Sequence, residues 1–221
     1  MKIASLVFLI LFGVISLIHL YFCYKENEKF RHITKPICLL FLALAAVFYA
    51  PREPLIYIGA LLGMGGDIFL LRKKDKICFF VGMILFIVGH ILYFAAISKG
   101  FGDTLPFYTY LIVAGGLLII AVALYPVTKK LAGGLTSFIG NIYMSLLVIL
   151  LGFGVALAFV NQEHMLSGIL FACGYLSFFV SDTILTLTTF VKDVKRRDLY
   201  IMFFYLLAEA LIVVSLCLLL A

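Results

Sequence analysis

The chain has 221 residues, of which 65% are apolar and only 13% charged, with a mean hydropathy of +1.22. Soluble domains carry about 25% charged residues and about 45–50% apolar ones, so too little polar surface exists here to coat a water-soluble globule. A disordered chain, a secreted disulfide scaffold and a cytosolic enzyme are all excluded, and a multi-pass membrane protein remains.

Crossing about 30 Å of hydrocarbon takes about 20 apolar residues at 1.5 Å rise each. That ruler predicts eight spans, near 3–24, 35–50, 54–72, 77–98, 105–127, 133–160, 164–190 and 199–220. The first reads as a retained helix and not a signal peptide, since no small-residue cleavage site follows it and a basic loop does. The second is short and reads as starting at Lys35-Pro36, with Thr34 as its cap. The sixth and seventh are long enough to tilt or to extend past the bilayer. Breaks fall at Pro51-Arg52-Glu53-Pro54, at Lys99-Gly100-Phe101-Gly102-Asp103 and at Asn161-Gln162-Glu163-His164.

The formal charge is +6. Its placement matters more than its size, because the bases sit in short clusters between apolar runs and not along one face, which argues against nucleic acid as a partner. Alternate loops hold Lys25, Lys29, Arg31 and Lys35; Arg72, Lys73, Lys74 and Lys76; Lys129 and Lys130; and Lys192, Lys195, Arg196 and Arg197. The termini and the other loops hold only Lys2, Arg52 and Lys99, a division of fourteen against three. By the positive-inside rule, the expectation is an all-α integral membrane protein of eight transmembrane helices, with both termini non-cytoplasmic. The loops are short, so 1–221 reads as a single eight-helix membrane domain whose function lies in or at the edge of the bilayer. A compact chain without a sorting tail points to a bacterial inner (plasma) membrane. The five cysteines (Cys23, Cys38, Cys78, Cys173 and Cys217) form no C-x-x-C pair and read as small buried hydrophobes.

The informative residues are those most costly to bury. An acid at a helix centre costs roughly 2.5–3.5 kcal/mol, and three sit in spans: Asp67, Asp182 and Glu209. Gly59, Gly63 and Asp67 are four apart and share one helix face, narrow enough to bring a neighbouring backbone close. That face either delivers a carboxylate into the bundle or is a packing stripe ending in an acid paired with Arg72 or Lys73. Tyr175, Asp182, Thr186 and Thr189 form one polar stripe, facing a site or a buried hydrogen-bonded network. His90 lies in the fourth span with Tyr93 three residues on. Tyr205 and Glu209 share a face of the eighth. Ser137, Asn141 and Ser145 share a face of the sixth, with Tyr143 on a different one, and polar glue between helices explains that set as well as a site does. Lys35 marks the cytoplasmic rim, as a phosphate ligand or a plain positive-inside residue. By depth these residues predict one polar pocket opening inward, walled by the third, fourth, sixth, seventh and eighth spans.

Three segments carry a resemblance: Thr34-Lys35-Pro36, the run GALLGMGGDIFLLRKKDKICFFVGMILFIVGHILYFAAI from Gly59 to Ile97, and GYLSFFVSDTILTLTTF from Gly174 to Phe190. Together they resemble the YhhN family, whose vertebrate members are lysoplasmalogenases, and the resemblance includes the eight-helix plan. It implies hydrolysis of the vinyl ether bond of lysoplasmalogens to a fatty aldehyde and glycerophospho-choline or -ethanolamine. The family positions that carry over are Lys35, Asp67, His90, Asp182 and the region of Tyr205. A neutral polar residue is commoner in the family where this chain has Glu209.

A vinyl ether is cleaved by protonating its β-carbon; water then adds to the oxocarbenium ion and the hemiacetal collapses. Two carboxylates suit this, as in glycosidases, and a low-dielectric pocket favours the proton-donating form of one of them. Asp67 and Asp182 are the expected catalytic pair. His90, Tyr205, Glu209, Asn141 and Tyr175 are the expected orienting or pocket residues, and Lys35 the expected phosphate ligand. No metal or other cofactor is called for. The expected partners are a lysophospholipid substrate and membrane lipids. Three rivals stay open: a zinc site on Asp67, His90 and Asp182, a small proton- or cation-coupled transporter, and a non-catalytic lysolipid-binding protein.

Overall fold

In the bilayer core no water satisfies backbone polar groups, so apolar spans close their hydrogen bonds internally as helices. The computed structural model describes residues 2–71, 75–102, 107–132 and 134–221, with the backbone alone for 76, 107–114, 117, 121, 127 and 131–132. Arg72, Lys73, Lys74 and Asp103 lie outside the described residues, as does the suggested pairing of Asp67 with Arg72 or Lys73. The helices are α1 (Lys2–Tyr24), α2 (Glu28–Tyr49), α3 (Pro54–Leu70), α4 (Lys76–Ser98), α5 (Phe107–Ala132), α6 (Gly134–Val160), α7 (Met165–Phe190) and α8 (Arg197–Leu220). Short 3-10 turns follow α4 and α6, and no strand occurs among the described residues.

Among the described residues, six candidate membrane spans are long and apolar enough to cross a bilayer: Lys2–Tyr24, Glu28–Tyr49, Ile77–Phe101, Gly134–Val160, Gln162–Phe190 and Arg197–Leu220. Helix α3 is apolar but has only 17 residues.

Helix α2 corrects the sequence expectation. It begins at Glu28 and not at Lys35, because Asn27 caps it by accepting from the Phe30 N–H at 3.3 Å. Thr34 is inside the helix, its hydroxyl donating to the Phe30 carbonyl at 2.8 Å. Pro36 is tolerated in the helix interior. Lys35 therefore stands about two turns in, near 10 Å from the helix start, and not at that start. The added turns also carry His32, read from sequence as a loop residue. At the other extreme, α5 runs past Pro126 to Ala132.

Among the described residues, each helix from α1 to α4 packs on the next, as does each from α5 to α8, and α8 is the hub, touching α1, α2, α3, α4 and α7. Its buried side includes Ile201, Tyr205, Ala208, Glu209, Ile212 and Leu216. The stripe read on α3 does bring backbones together at Gly59: a Cβ on Gly89 of α4 would lie 3.1 Å from the Gly59 carbonyl oxygen. Helices α6 and α7 approach closer still. A Cβ on Gly154 would meet the Ala172 nitrogen at 2.6 Å, and one on Gly168 the Ala158 nitrogen at 2.5 Å. Serine hydroxyls add hydrogen bonds between helices, Ser181 to the Ile201 carbonyl at 3.0 Å and Ser215 to the Ser167 carbonyl at 2.7 Å.

All five cysteines are free, and Cys23, Cys38 and Cys217 are buried as expected. Cys173 is exposed. It shares an outward apolar face of α7 with Leu166, Ile169 and Leu176, the kind of surface a bilayer covers.

Candidate functional site

Asp67 lies in the last turn of α3, on the face that Gly59 and Gly63 keep narrow. Its side chain is 2% exposed, yet it is fully partnered. Lys35 Nζ of α2 sits 2.8 Å from Oδ1, and the Tyr205 hydroxyl of α8 donates to Oδ2 at 2.8 Å. The Lys35 ammonium also lies 5.5 Å from the Tyr205 ring centroid. A carboxylate taken out of water needs such a cation and donor to offset its lost hydration. Lys35, expected as a phosphate ligand, spends one of its three N–H donors here and keeps its side chain 21% exposed.

One turn along α8 from Tyr205, Glu209 accepts from the Tyr93 hydroxyl at 3.2 Å. Its other oxygen faces Gly63, 3.5 Å from where a Cβ would stand. Asp182 of α7 accepts from the Tyr143 hydroxyl of α6 at 2.5 Å. Each of the three intramembrane acids thus receives a tyrosine hydroxyl from another helix. Asp182 and Tyr143 are only half-buried, whereas Asp67 and Glu209 are closed off. Asp182 lies within electrostatic reach of both Lys35 and Asp67.

His90 joins these groups. Its Nδ1 is hydrogen-bonded to the Tyr175 hydroxyl at 3.0 Å. The rings of Tyr93, Tyr143, Tyr175 and Phe178 surround it, with centroids at 6.1, 5.7, 5.5 and 4.8 Å. Phe178 continues the chain of contacts to Tyr205 at 5.4 Å. His90 is 2% exposed, and its Nε2 is a buried polar atom with no hydrogen-bond partner among the described residues. Such an atom is costly to leave alone, so it marks a position where a ligand or water would complete the site.

Among the sequence-predicted residues, Lys35, Asp67 and Tyr205 meet directly, as do His90 and Tyr175. Asp182 and Glu209 enter through tyrosines of neighbouring helices. Asn141 stands elsewhere, its amide donating to the Thr128 hydroxyl of α5 at 2.9 Å, next to Ser137, which donates to the Thr128 carbonyl. Tyr143 does lie on a different face of α6 from these two. The polar stripe of α7 ends sooner than read, since Thr186 and Thr189 are exposed near the end of the helix. The zinc rival needs Asp67, His90 and Asp182 to converge, but each has a different polar partner. Among the described residues no three His, Cys, Asp or Glu side chains gather as metal ligands would.

Sequence reasoning missed Tyr93 and Tyr143 as acid partners. The available signal was that a tyrosine hydroxyl buried in an apolar span has to find a hydrogen-bond partner, and few acceptors exist there besides the three acids.

Fold and site together define a helical membrane protein whose interior holds a carboxylate–phenol–imidazole cluster served by one lysine. The chain belongs to the YhhN family, whose family model matches residues 30–216 and so includes every residue of this cluster. No curated protein and no solved structure matches it.

Proposed function

We propose that this chain is a lysoplasmalogenase-like ether hydrolase, cleaving the vinyl ether of a lysoplasmalogen to a fatty aldehyde and a glycerophospho-alcohol inside the membrane. Membership of the YhhN family is consistent with that role. The observation that carries the reading is the unpartnered, buried Nε2 of His90, whose ring is joined through Tyr143 to Asp182 and through Phe178 and Tyr205 to Asp67.

Those carboxylates differ in their partners, and the difference assigns their roles. Asp67 faces the Lys35 cation, so it serves as the ionised carboxylate that stabilises the oxocarbenium ion and orients water. Asp182 is bonded to a neutral phenol and stands on the half-exposed side, so it delivers the proton to the vinyl β-carbon. The incoming water takes a hydrogen bond with His90 Nε2. Water adds to the oxocarbenium carbon and gives one proton back to the Asp182 carboxylate; as the hemiacetal collapses, its hydroxyl proton passes to the departing glycerol oxygen and the carbonyl forms, which leaves both carboxyl groups as they began. The logic is that of two carboxylates flanking an oxocarbenium-like transition state.

The reading includes eight membrane crossings with both termini non-cytoplasmic, which puts Lys35 and Asp67 toward the cytoplasmic side. It includes a bacterial inner membrane as the location. The test is aldehyde release from 1-alkenyl lysophosphatidylethanolamine by detergent-purified protein. Asp67→Asn and Asp182→Asn, each eluting as wild type, are expected to lose at least about 10²-fold in rate. No aldehyde from well-folded wild type would move the reading to transport or to lysolipid binding without catalysis.

A further inference from the structure

Helices α6 and α7 run antiparallel, with Ala158 against Gly168 and Tyr143 against Asp182, but they do not keep one separation. Around Gly154 and Gly168 they touch backbone to backbone. Tyr143 lies about 16 Å back along α6 from Gly154, and Asp182 about 15 Å onward along α7 from Ala172. At that level a full tyrosine side chain spans the gap, its hydroxyl donating to Asp182 Oδ2 at 2.5 Å. The pair is therefore closed at one end and splayed at the other. Past Tyr143 and Asp182, toward the start of α6 and the end of α7, no hydrogen bond, ion pair or ring contact joins the two helices among the described residues.

The splayed part has polar walls. Thr136 and Gly140 precede Tyr143 on the same face of α6, and Thr186 and Thr189 follow Asp182 on the same face of α7, all at spacings of three or four residues. A Cβ on Gly140 would have nothing within 4 Å, so open space lies one turn from Tyr143. The neighbouring hydroxyls of α7 are satisfied by their own helix. Ser177 donates to the Cys173 carbonyl at 2.9 Å, Thr183 to the Phe179 carbonyl at 2.7 Å and Thr188 to the Ile184 carbonyl at 2.7 Å, the usual refuge for a hydroxyl in an apolar helix. Thr136, Thr186 and Thr189 make no such bond to any described residue, and Thr186 and Thr189 are exposed. With the half-buried Asp182 at their head, such groups in a span face a water-filled space and not lipid.

The chemistry of the walls selects what fills the opening. No charged side chain lies on α6 from Gly134 to Tyr143, nor on α7 between Asp182 and Lys192, so nothing there would hold a phosphate. An alkyl chain would leave the hydroxyls unpaired. Water both donates to them and accepts from them. The opening also leads to the place that lacks a partner, because the Tyr143 ring lies 5.7 Å from the His90 ring and His90 Nε2 is the orphaned atom.

We infer that the splayed opening between α6 and α7 is a water-conducting groove, running from the end of the bundle that carries Lys192 past Thr189, Thr186 and Gly140 to Asp182 and His90. Its use as the supply of the water consumed in hydrolysis rests on the hydrolase reading. The groove itself does not, and its occupancy by water needs no turnover.

The experiment uses full-length protein with its five cysteines replaced, held in nanodiscs, and single cysteines introduced as Asp182→Cys, Leu185→Cys, Thr186→Cys and Leu187→Cys. Leu185 and Leu187 flank Thr186 in sequence and are exposed apolar residues on other faces of α7. Both lie nearer the end of the helix than Asp182. A charged methanethiosulfonate reacts with the thiolate, which forms only where water reaches, so Thr186→Cys and Asp182→Cys are expected to react at least about tenfold faster than Leu185→Cys and Leu187→Cys. Gly140→Leu, which fills the open wall of α6, should slow labelling of Asp182→Cys and leave Leu187→Cys unchanged; Thr136→Leu takes its place if that variant does not fold. Equal rates at 182, 185, 186 and 187 overturn the inference, as does labelling of Asp182→Cys that neither wall substitution slows. Aldehyde release by the natural protein together with equal labelling removes the groove and leaves the hydrolase. The expected labelling with no aldehyde release removes the hydrolase and leaves the groove.

Discussion

Lys35 and Asp67 place a full ion pair where neither partner has bulk water to fall back on. Their two side chains come from different helices, and Asp67 is 2% exposed against 21% for Lys35. Removing the cation alone leaves a buried carboxylate with only the Tyr205 hydroxyl, and breaking one side of a buried pair typically costs about 3–5 kcal/mol. Replacing both partners by neutral groups is much cheaper, because an amide at position 67 still accepts from Tyr205 and requires no counter-charge. Lys35→Met is therefore expected to unfold at a clearly lower temperature than wild type. The double variant Lys35→Met, Asp67→Asn should recover most of the loss, a non-additivity that a double-mutant cycle of thermal midpoints in detergent reads directly. Additive losses would mean that the pair is decorative. The same comparison separates stability from chemistry, since the double variant is expected to fold well and release no aldehyde.

At the scale of elements, the sheer closeness of α6 and α7 stands apart from the other contacts. Gly154 and Gly168 face backbone atoms of the opposite helix, so an added methyl cannot be accommodated by turning a side chain aside. Overpacking of this kind typically costs 1–3 kcal/mol or more. Gly168→Ala is expected to lower the thermal midpoint and reduce activity together, because Asp182 on α7 and Tyr143 on α6 depend on that spacing. Gly140→Ala on the same α6 has nothing within 4 Å and should be neutral or slightly stabilising, given the helix propensity of alanine. Equal effects from the two would refute the packing argument. Legibility in the sequence follows the same line. The narrow face of α3 could be read because a four-residue glycine spacing is a local pattern. The pairing of Tyr143 with Asp182 bridges 39 residues, and no periodicity within one helix encodes which neighbour supplies its partner. The start of α2 was misread for a physical reason too: Pro36 suits a first turn, but the Asn27 cap had already started the helix. With the helix started two turns earlier, Lys35 moves inward to meet Asp67.

For the whole molecule, the strongest sequence signal is the division of basic residues, and it makes a claim about orientation that the bundle alone cannot test. The structure puts the two ends of that claim in physical contact. Arg31, at the start of α2, pairs with Asp198 at the start of α8, so the α1–α2 and α7–α8 turns lie at one end of the bundle. At the opposite end, Lys99 after α4 pairs with Glu53 before α3. If the basic end is cytoplasmic, as positive-inside asymmetry requires, the α1–α2 and α7–α8 turns and Lys35 face the cytoplasm while residues 99 and 163 face outward. Single cysteines at Lys195 and Glu163, in a protein otherwise free of cysteine, read this out with a membrane-impermeant maleimide on intact cells. Glu163→Cys is expected to label before lysis and Lys195→Cys only after it. The reverse pattern would invert the protein and place the α1–α2 and α7–α8 turns outside, and a lysolipid substrate of the proposed hydrolase would then come from the outer leaflet. Labelling of both before lysis would mean that α7, the one helix between them, does not cross the membrane. Because Asp67 and Asp182 lie nearer the basic end, the outcome decides, for the proposed hydrolase, which leaflet a lysolipid would leave and on which side its water-soluble product would be released.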